Sequence, residues 1–215
     1  MNKVDENKHI FVDTYLFFDE SLLSEDKIFV EVGAFSGQHA MGLLDRYNCK
    51  VIVYEASETN FVSLENNVKE YKNRELILHN KAVNKDDGTV TFYEFRNPAS
   101  NSVYPRHQTG RRRRKLKKHY VVDSVSLSSI LKENDIDHVD TIFLNCEGAE
   151  ISILHGFFES KELHDKITQL SVSFHPQIYG NMPIKETLKR AESSGFSFII
   201  SNKTFPCTLF IKNEP

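Results

Sequence analysis

The stretch "FVEVGAFSGQ", Phe29 to Gln38, joins a short apolar run to a turn with two glycines and sets an acid, Glu31, two places before the first of them. An apolar run, a glycine turn and then a helix-period segment read as the opening strand, turn and helix of an α/β fold. Gly33 and Gly37 let the backbone turn sharply and approach a ligand closely, and a helix beginning near Ser36 offers unpaired N–H groups. A pyrophosphate on that helix would call for GxGxxG, yet position 35 is Phe and the Glu31 carboxylate repels phosphate. A nicotinamide-dependent oxidoreductase is therefore disfavoured.

Outward from this turn, short runs rich in β-branched and aromatic residues alternate with helix-period segments. Strands are expected at 27–32, 50–55, 75–80, 141–145, 169–175, 196–201 and 207–212. Phe61, Leu64, Val68 and Tyr71 recur at helical spacing behind a Ser57/Thr59 start signal, and Ile184, Leu188 and Ala191 do so before Gly195. Strands alternating with helices imply a mainly parallel sheet covered on both faces. The linker "NKTFP" is too short for a crossover, so the sheet should end in a C-terminal antiparallel hairpin. A second, smaller hairpin is expected on the "DDG" of "NKDDGTVTFYEF".

In such a sheet, ligands bind beyond the carboxyl ends of the strands. The Gly33 turn, Glu55, His79 and Asn80, the segment from Asn145 to Glu150, and His175 all fall on that edge. An acid at position 31 suits a cationic ligand, and S-adenosylmethionine carries a sulfonium and an ammonium. Glu55, at the next strand end, is placed to accept from two ribose hydroxyls.

The segments "FVEVGAFSGQHA", "VIVYEASETNFVSLENNV", "LILHNKAVNKDDGTVTFYEF", "SVSLSSIL", "VDTIFLNCEGAEISILHGF" and "LSVSFH" together resemble the FkbM family of S-adenosylmethionine-dependent methyltransferases, in order and spacing, from about Ile28 to His175. The resemblance implies a Rossmann-like seven-stranded methyltransferase sheet and O-methylation of a sugar-type or polyketide hydroxyl. Glu31, Gly33 and Gly37 match its cofactor loop, Glu55 its ribose carboxylate, Glu147, Gly148 and Glu150 its EGxE element, and His175 a histidine after the fifth strand. The expected cofactor contacts are thus Glu31, Gly33, Ala34, Phe35, Ser36, Gly37, Glu55, Ala56, Asn80, Ala82 and Asn145. The family commonly reads Lys-x-Asp before EGxE, where this chain has Phe143 and Asn145. Asparagine takes no proton at neutral pH and is a poor ligand for a hard cation, so no metal is expected. Ser173 stands where a carboxylate often precedes the histidine, which leaves His175 without its usual partner. His175 is the preferred general base, with Glu147 and Glu150 as alternatives or as anchors for acceptor hydroxyls.

The whole chain, 215 residues with 40% hydrophobic and 27% charged, is expected to form one domain. Residues 1–26 are expected to form a helical or irregular extension. The polar start "MNKVDENKHI" and the lack of an apolar run near 20 residues lead to a cytoplasmic expectation with no membrane span. Cys49, Cys146 and Cys207 show no CxxC spacing and read as reduced, buried side chains. A basic loop at 106–118 holds eight of the 27 Lys+Arg and no acid, so the remainder carries 19 basic against 30 acidic residues, a net of −11. Arg111, Arg112, Arg113 and Arg114 are its densest part and are expected to meet the acceptor, which points to a phosphorylated or acidic, carbohydrate-like small molecule or glycan. The alternative is a catalytically weak relative whose basic loop binds nucleic acid or another polyanion.

Overall fold

The computed structural model describes residues 9–11, 16–105, 115–201 and 207–213. Its main sheet has seven strands: β3 (Ile28–Val32), β4 (Lys50–Tyr54), β5 (Leu76–His79), β9 (Val139–Leu144), β10 (Ile167–Ser173), β11 (Phe196–Ile200) and β12 (Cys207–Lys212), in spatial order β11-β12-β10-β9-β3-β4-β5. The first five pair in parallel, and β12 runs antiparallel to both β10 and β11. The chain builds outward from β3 through β4 to β5, then returns to place β9 on the other side of β3. The strand order reverses between β3 and β9, and that reversal opens a crevice at their carboxyl ends.

Near-continuous apolar strands follow from burial on both faces. Val30, Val32, Ile142 and Leu144 pack with α3 (Leu127–Glu133), α4 (Glu150–Glu159), α5 (Lys161–Lys166) and α7 (Met182–Ser193), joined by Phe157 and Phe196. Phe29, Val51, Val53 and Phe143 face the other way, toward α1 (Gln38–Tyr47) and α2 (Glu58–Asn67), with Leu43, Leu44 and Leu64 completing the layer. Ser57 caps α2 by accepting from Asn60 N, as its position before the apolar repeat predicts. The repeat itself breaks at Val68, and Tyr71 continues in a 3-10 turn.

Two expectations are corrected here. The described part of the N-terminal segment is extended: β2 (Phe17–Asp19) pairs antiparallel with β1 (His9–Phe11), and its backbone donates to Ser171 Oγ at 3.3 Å and Gln169 Oε1 at 2.9 Å. Leu16, Phe17 and Phe18 are consecutive and all buried, which an amphipathic helix turn could not achieve. One helical turn is present, the 3-10 segment Glu20–Leu22. The "DDG" hairpin is absent from the described residues. Instead β6 (Ala82–Val83), β8 (Leu116–Val125) and β7 (Gly88–Phe95) form a second sheet in that order, with β8 between the other two. Asp87 accepts from Ser126 N and Ser129 Oγ at 2.7 Å each, so the turn ties down the start of α3 rather than closing a hairpin. Part of the expected basic loop is therefore strand: Lys118 lies opposite Glu94 at 3.5 Å and over the Tyr120 ring at 4.5 Å.

Candidate active site

A cavity of about 540 Å3 occupies the crevice, within the size range of cofactor pockets. Its floor is the turn after β3, where Gly33 N donates to Tyr54 O at 2.8 Å and Asn145 N to Val32 O at 3.0 Å. Gly33 has φ +85°, and a Cβ there would lie 2.2 Å from Asn145 O. Gly37, at φ +82°, would put a Cβ 2.5 Å from Leu64 Cδ1. Both glycines thus serve close contacts within the protein, and Gly33 also lines the cavity.

Glu55 ends β4 in the cavity wall and is buried. One carboxylate oxygen accepts from Phe35 N at 2.8 Å and the other from Ser57 N at 2.8 Å. Each oxygen keeps a second lone pair for a ligand hydroxyl. Burial pushes this carboxyl up to about 7, against the lowering effect of those two amides. The Phe35 bond holds the turn in place at a non-glycine φ of +55°, leaving the Phe35 ring exposed at the cavity mouth. The Gly33, Phe35 and Gly37 amides are all engaged by protein acceptors, so these three N–H groups are not available to a pyrophosphate.

The other wall is built around His175, at the start of α6 (Pro176–Tyr179) and buried. Its Nδ1 lies 2.8 Å from Glu150 Oε1, and its Nε2 lies 3.2 Å from Glu147 Oε1. Glu150 is fully buried; its carboxylate also accepts from Cys146 N at 3.0 Å and Gly148 N at 2.9 Å. Three donors converge on one acid, which therefore accepts Nδ1–H and leaves Nε2 as the nitrogen beside the cavity. Glu147 holds an uncommon φ of +54°, with its carbonyl fixed by Ser102 Oγ at 2.6 Å. The partner expected two places before His175 comes instead from the neighbouring strand's loop.

Of the expected cofactor contacts, Gly33, Ala34, Phe35, Ser36, Glu55, Ala56, Ala82 and Asn145 line the cavity. Glu31, Gly37 and Asn80 do not. Glu31 shares the β3 side of Phe29 and is fully buried; one oxygen meets His39 Nδ1 at 2.9 Å and the other has no hydrogen-bond partner among the described residues. His39, on α1, stands between that acid and the cavity and packs edge-on against Phe143. Asn80 is exposed and donates to Glu55 O at 2.8 Å, bracing the strand end. Glu150 supports His175 from behind the wall. Arg111 to Arg114 lie outside the described residues. Sequence reading missed Tyr54, His39, Lys81, Val83, Phe92 and Phe174 in the lining. Lys81 is one place beyond the Asn80 that was singled out, and Phe92 belongs to the face of β7 turned inward.

Residues 31–198 match the family model described as the methyltransferase FkbM domain. The chain belongs to the FkbM methyltransferase family. No curated protein matches the sequence. Among solved structures, this FkbM chain is similar to the precorrin-6y C5,15-methyltransferase of Geobacter metallireducens GS-15, at 10% identity and TM-score 0.51, covering 98% of this chain and 97% of that one. It is also similar to an rRNA methylase of Streptococcus thermophilus, at 10% identity and TM-score 0.51 over 91% and 92% of the two chains. A third match is the Streptococcus mutans protein SMU.1697c, in complex with SAH, at 7% identity and TM-score 0.54 over 90% and 92%. At these identities the FkbM chain shares their fold. Among its described residues no helix is long and apolar enough to cross a membrane.

Proposed function

We propose that the protein transfers a methyl group from S-adenosylmethionine to a hydroxyl of a carbohydrate-like, anionic acceptor, acting in the cytoplasm as a single methyltransferase domain. The observation that carries this reading is a single cavity holding a buried carboxylate at one end and a carboxylate-oriented histidine at the other. The residues fit the cofactor: Glu55 offers lone pairs for two ribose hydroxyls, Ala56, Ala82, Val83 and Phe92 give apolar walls for a purine, and the Gly33, Phe35 and Gly37 amides are taken by protein acceptors rather than left for a pyrophosphate. When bound, S-adenosylmethionine supplies an electrophilic methyl on a sulfonium. The protein must then hold the acceptor oxygen in line, exclude water and remove its proton. His175 Nε2 takes that proton, Glu150 keeps the ring in the tautomer that can do so, and Glu147 faces the N–H that results.

Glu55→Ala is expected to weaken S-adenosylmethionine binding by about 2 kcal/mol, roughly thirtyfold, with the fold intact. The affinity should also depend on pH. Ribose hydroxyls favour the ionised carboxylate, so wild-type affinity rises as pH passes upward through about 7, and this component vanishes in Glu55→Gln. The unliganded protein should move the opposite way. With the folded pKa raised above the usual 4.5, the folded state holds the extra proton, and stability falls as pH rises from 4.5 through about 7. Calorimetric titration and thermal unfolding at pH 6 and 8 measure both. Flat affinity in the wild type would remove Glu55 from the cofactor site, and preference for NAD would overturn the reaction class.

The acceptor half is tested on the basic run. Replacing Arg111 to Arg114 by Ser is expected to raise acceptor KM and flatten its salt dependence, with cofactor affinity nearly unchanged. Steeply salt-dependent nucleic-acid binding that this replacement abolishes, with no methyl acceptor found, would favour a polyanion-binding relative instead.

A further inference from the structure

Beside the main cavity lies a second cleft that no part of the mechanism uses. It is lined by Arg96, Lys117 and Thr59, and it shares Pro98 and Asn101 with the main cavity. We propose that Arg96 and Lys117 bind a phosphate-type oxyanion carried by the methyl acceptor. This rests on the acceptor-methylating reading above and assigns the acceptor's anionic group to a place in the fold.

Charge distribution carries the argument. Glu94 is the acid in this cleft, and its carboxylate is already engaged, by Ser57 Oγ at 2.9 Å, Tyr120 OH at 2.8 Å and Lys118 Nζ at 3.5 Å. Lys118 is further drawn to Glu58 at 3.7 Å. Arg96 and Lys117 are exposed and form no ion pair among the described residues. Glu94 feels the Lys117 charge as well as that of Lys118, so the cleft's one acid offsets one of its two cations and leaves an excess of positive charge that a ligand anion can meet. The pairing is chemically apt: a guanidinium offers a planar fork of N–H donors matched to two oxyanion oxygens, and a lysine adds a mobile point charge. Thr59 contributes a hydroxyl to the same wall.

Connectivity runs from the cleft to both halves of the cavity, since Ser57, which holds Asn101, also donates its N–H to Glu55. Asn101, in the shared wall, donates to Ser57 Oγ at 3.2 Å and accepts from Phe95 N at 2.9 Å, so the wall is fixed to the first turn of α2 and to β7. Three residues further on, Tyr104 packs against Gly148 of the EGxE element, and Ser102 holds the Glu147 carbonyl at 2.6 Å. An acceptor whose hydroxyl meets His175 can therefore lay an anionic substituent across Pro98 into the cleft. At the far side, Arg96 N donates to Lys115 O at 2.9 Å, the point where the basic run re-enters β8. The cations of the proposed site are Arg96 and Lys117 alone.

Inorganic pyrophosphate and sulfate, titrated by calorimetry at low ionic strength into wild type and into an Arg96→Ser/Lys117→Ser variant, test the site. S-adenosylmethionine affinity is measured on the same preparations. The expected result is pyrophosphate binding by the wild type, at least tenfold weaker in the variant, with cofactor affinity equal in both. Sulfate binding equal to pyrophosphate would assign the group to any single tetrahedral oxyanion, a phosphate monoester included; pyrophosphate alone would assign it to a diphosphate, and either supports the site. Equal pyrophosphate binding by both proteins, or none by the wild type, overturns it. Wild type that binds pyrophosphate through these residues but never binds S-adenosylmethionine would overturn the acceptor role by removing the methyltransferase reading itself. An oligonucleotide that binds through Arg96 and Lys117 with a salt slope of several phosphates would transfer the cleft to nucleic acid and overturn the acceptor assignment.

Discussion

His175→Ala is expected to lower the methyl-transfer rate by roughly 10²-fold or more while S-adenosylmethionine binds as before, because in the proposed reading the imidazole serves the acceptor and Glu55 the cofactor. The companion variants separate proton transfer from positioning. Glu150→Gln cannot satisfy its surroundings. Cys146 N, Gly148 N and His175 Nδ1 all donate to that carboxylate, and an amide would turn its own N–H2 on one of them. Where the N–H2 meets His175 Nδ1 the ring loses its enforced tautomer, and the rate should then fall toward that of His175→Ala. A downfield Nδ1–H resonance, visible in the wild type, should disappear with it. Glu150→Ala leaves three donors without an acceptor in a fully buried site and should cost on the order of 3 kcal/mol or more of stability as well. Glu147→Gln preserves a hydrogen-bond acceptor beside Nε2 and is expected to have the mildest effect of the three. Full activity in folded His175→Ala, assayed by transfer of labelled methyl to an acceptor recovered from a glycan and sugar-phosphate screen, would end the assignment of the base.

The contrast between what could be read beforehand and what could not is instructive at Glu150. The EGxE element, the histidine and their common sheet edge were all legible, because parallel strands are continuous apolar runs and their ends are marked by the first polar residue. The partnership between Glu150 and His175 was not. It spans 25 positions and depends on β10 lying beside β9, a fact of register that no local spacing encodes. Glu31 lies outside the cavity lining for a simpler reason. Side chains alternate along a strand, so an acid one place from Val30 and Val32 faces the α1 layer with Phe29. Period 2 alone could have shown that. The second sheet was hidden because Lys117, Lys118 and His119 open β8, and charge masked a strand that sits on a sheet largely open to solvent.

Gly33→Ala is the substitution expected to damage the fold most locally and the site most completely. Two effects add. At φ +85° an L-residue is strained, by about 1–2 kcal/mol. The added Cβ would also stand 2.2 Å from Asn145 O and 2.9 Å from Asn145 C, contacts with backbone that cannot rotate aside. Asn145 is held by its N–H to Val32 O, and Gly33 by its own to Tyr54 O, so relief requires β3 to move against both β4 and β9. That movement would break the seam at which the cavity opens and pull Phe35 N away from Glu55. Gly88 supplies the control, since it too has a left-handed backbone, at φ +135°, but no atom lies within 4 Å of where its Cβ would stand. Gly88→Ala should therefore show strain alone. The expected result is a melting temperature for Gly33→Ala lower than that of Gly88→Ala by several degrees, since each kcal/mol shifts a domain of this size by about 2–4 °C, together with loss of S-adenosylmethionine binding in the former and its retention in the latter. Equal melting temperatures would mean that the crevice yields at little cost, and retained cofactor affinity in Gly33→Ala would show that the Phe35 to Glu55 latch is not what shapes the site.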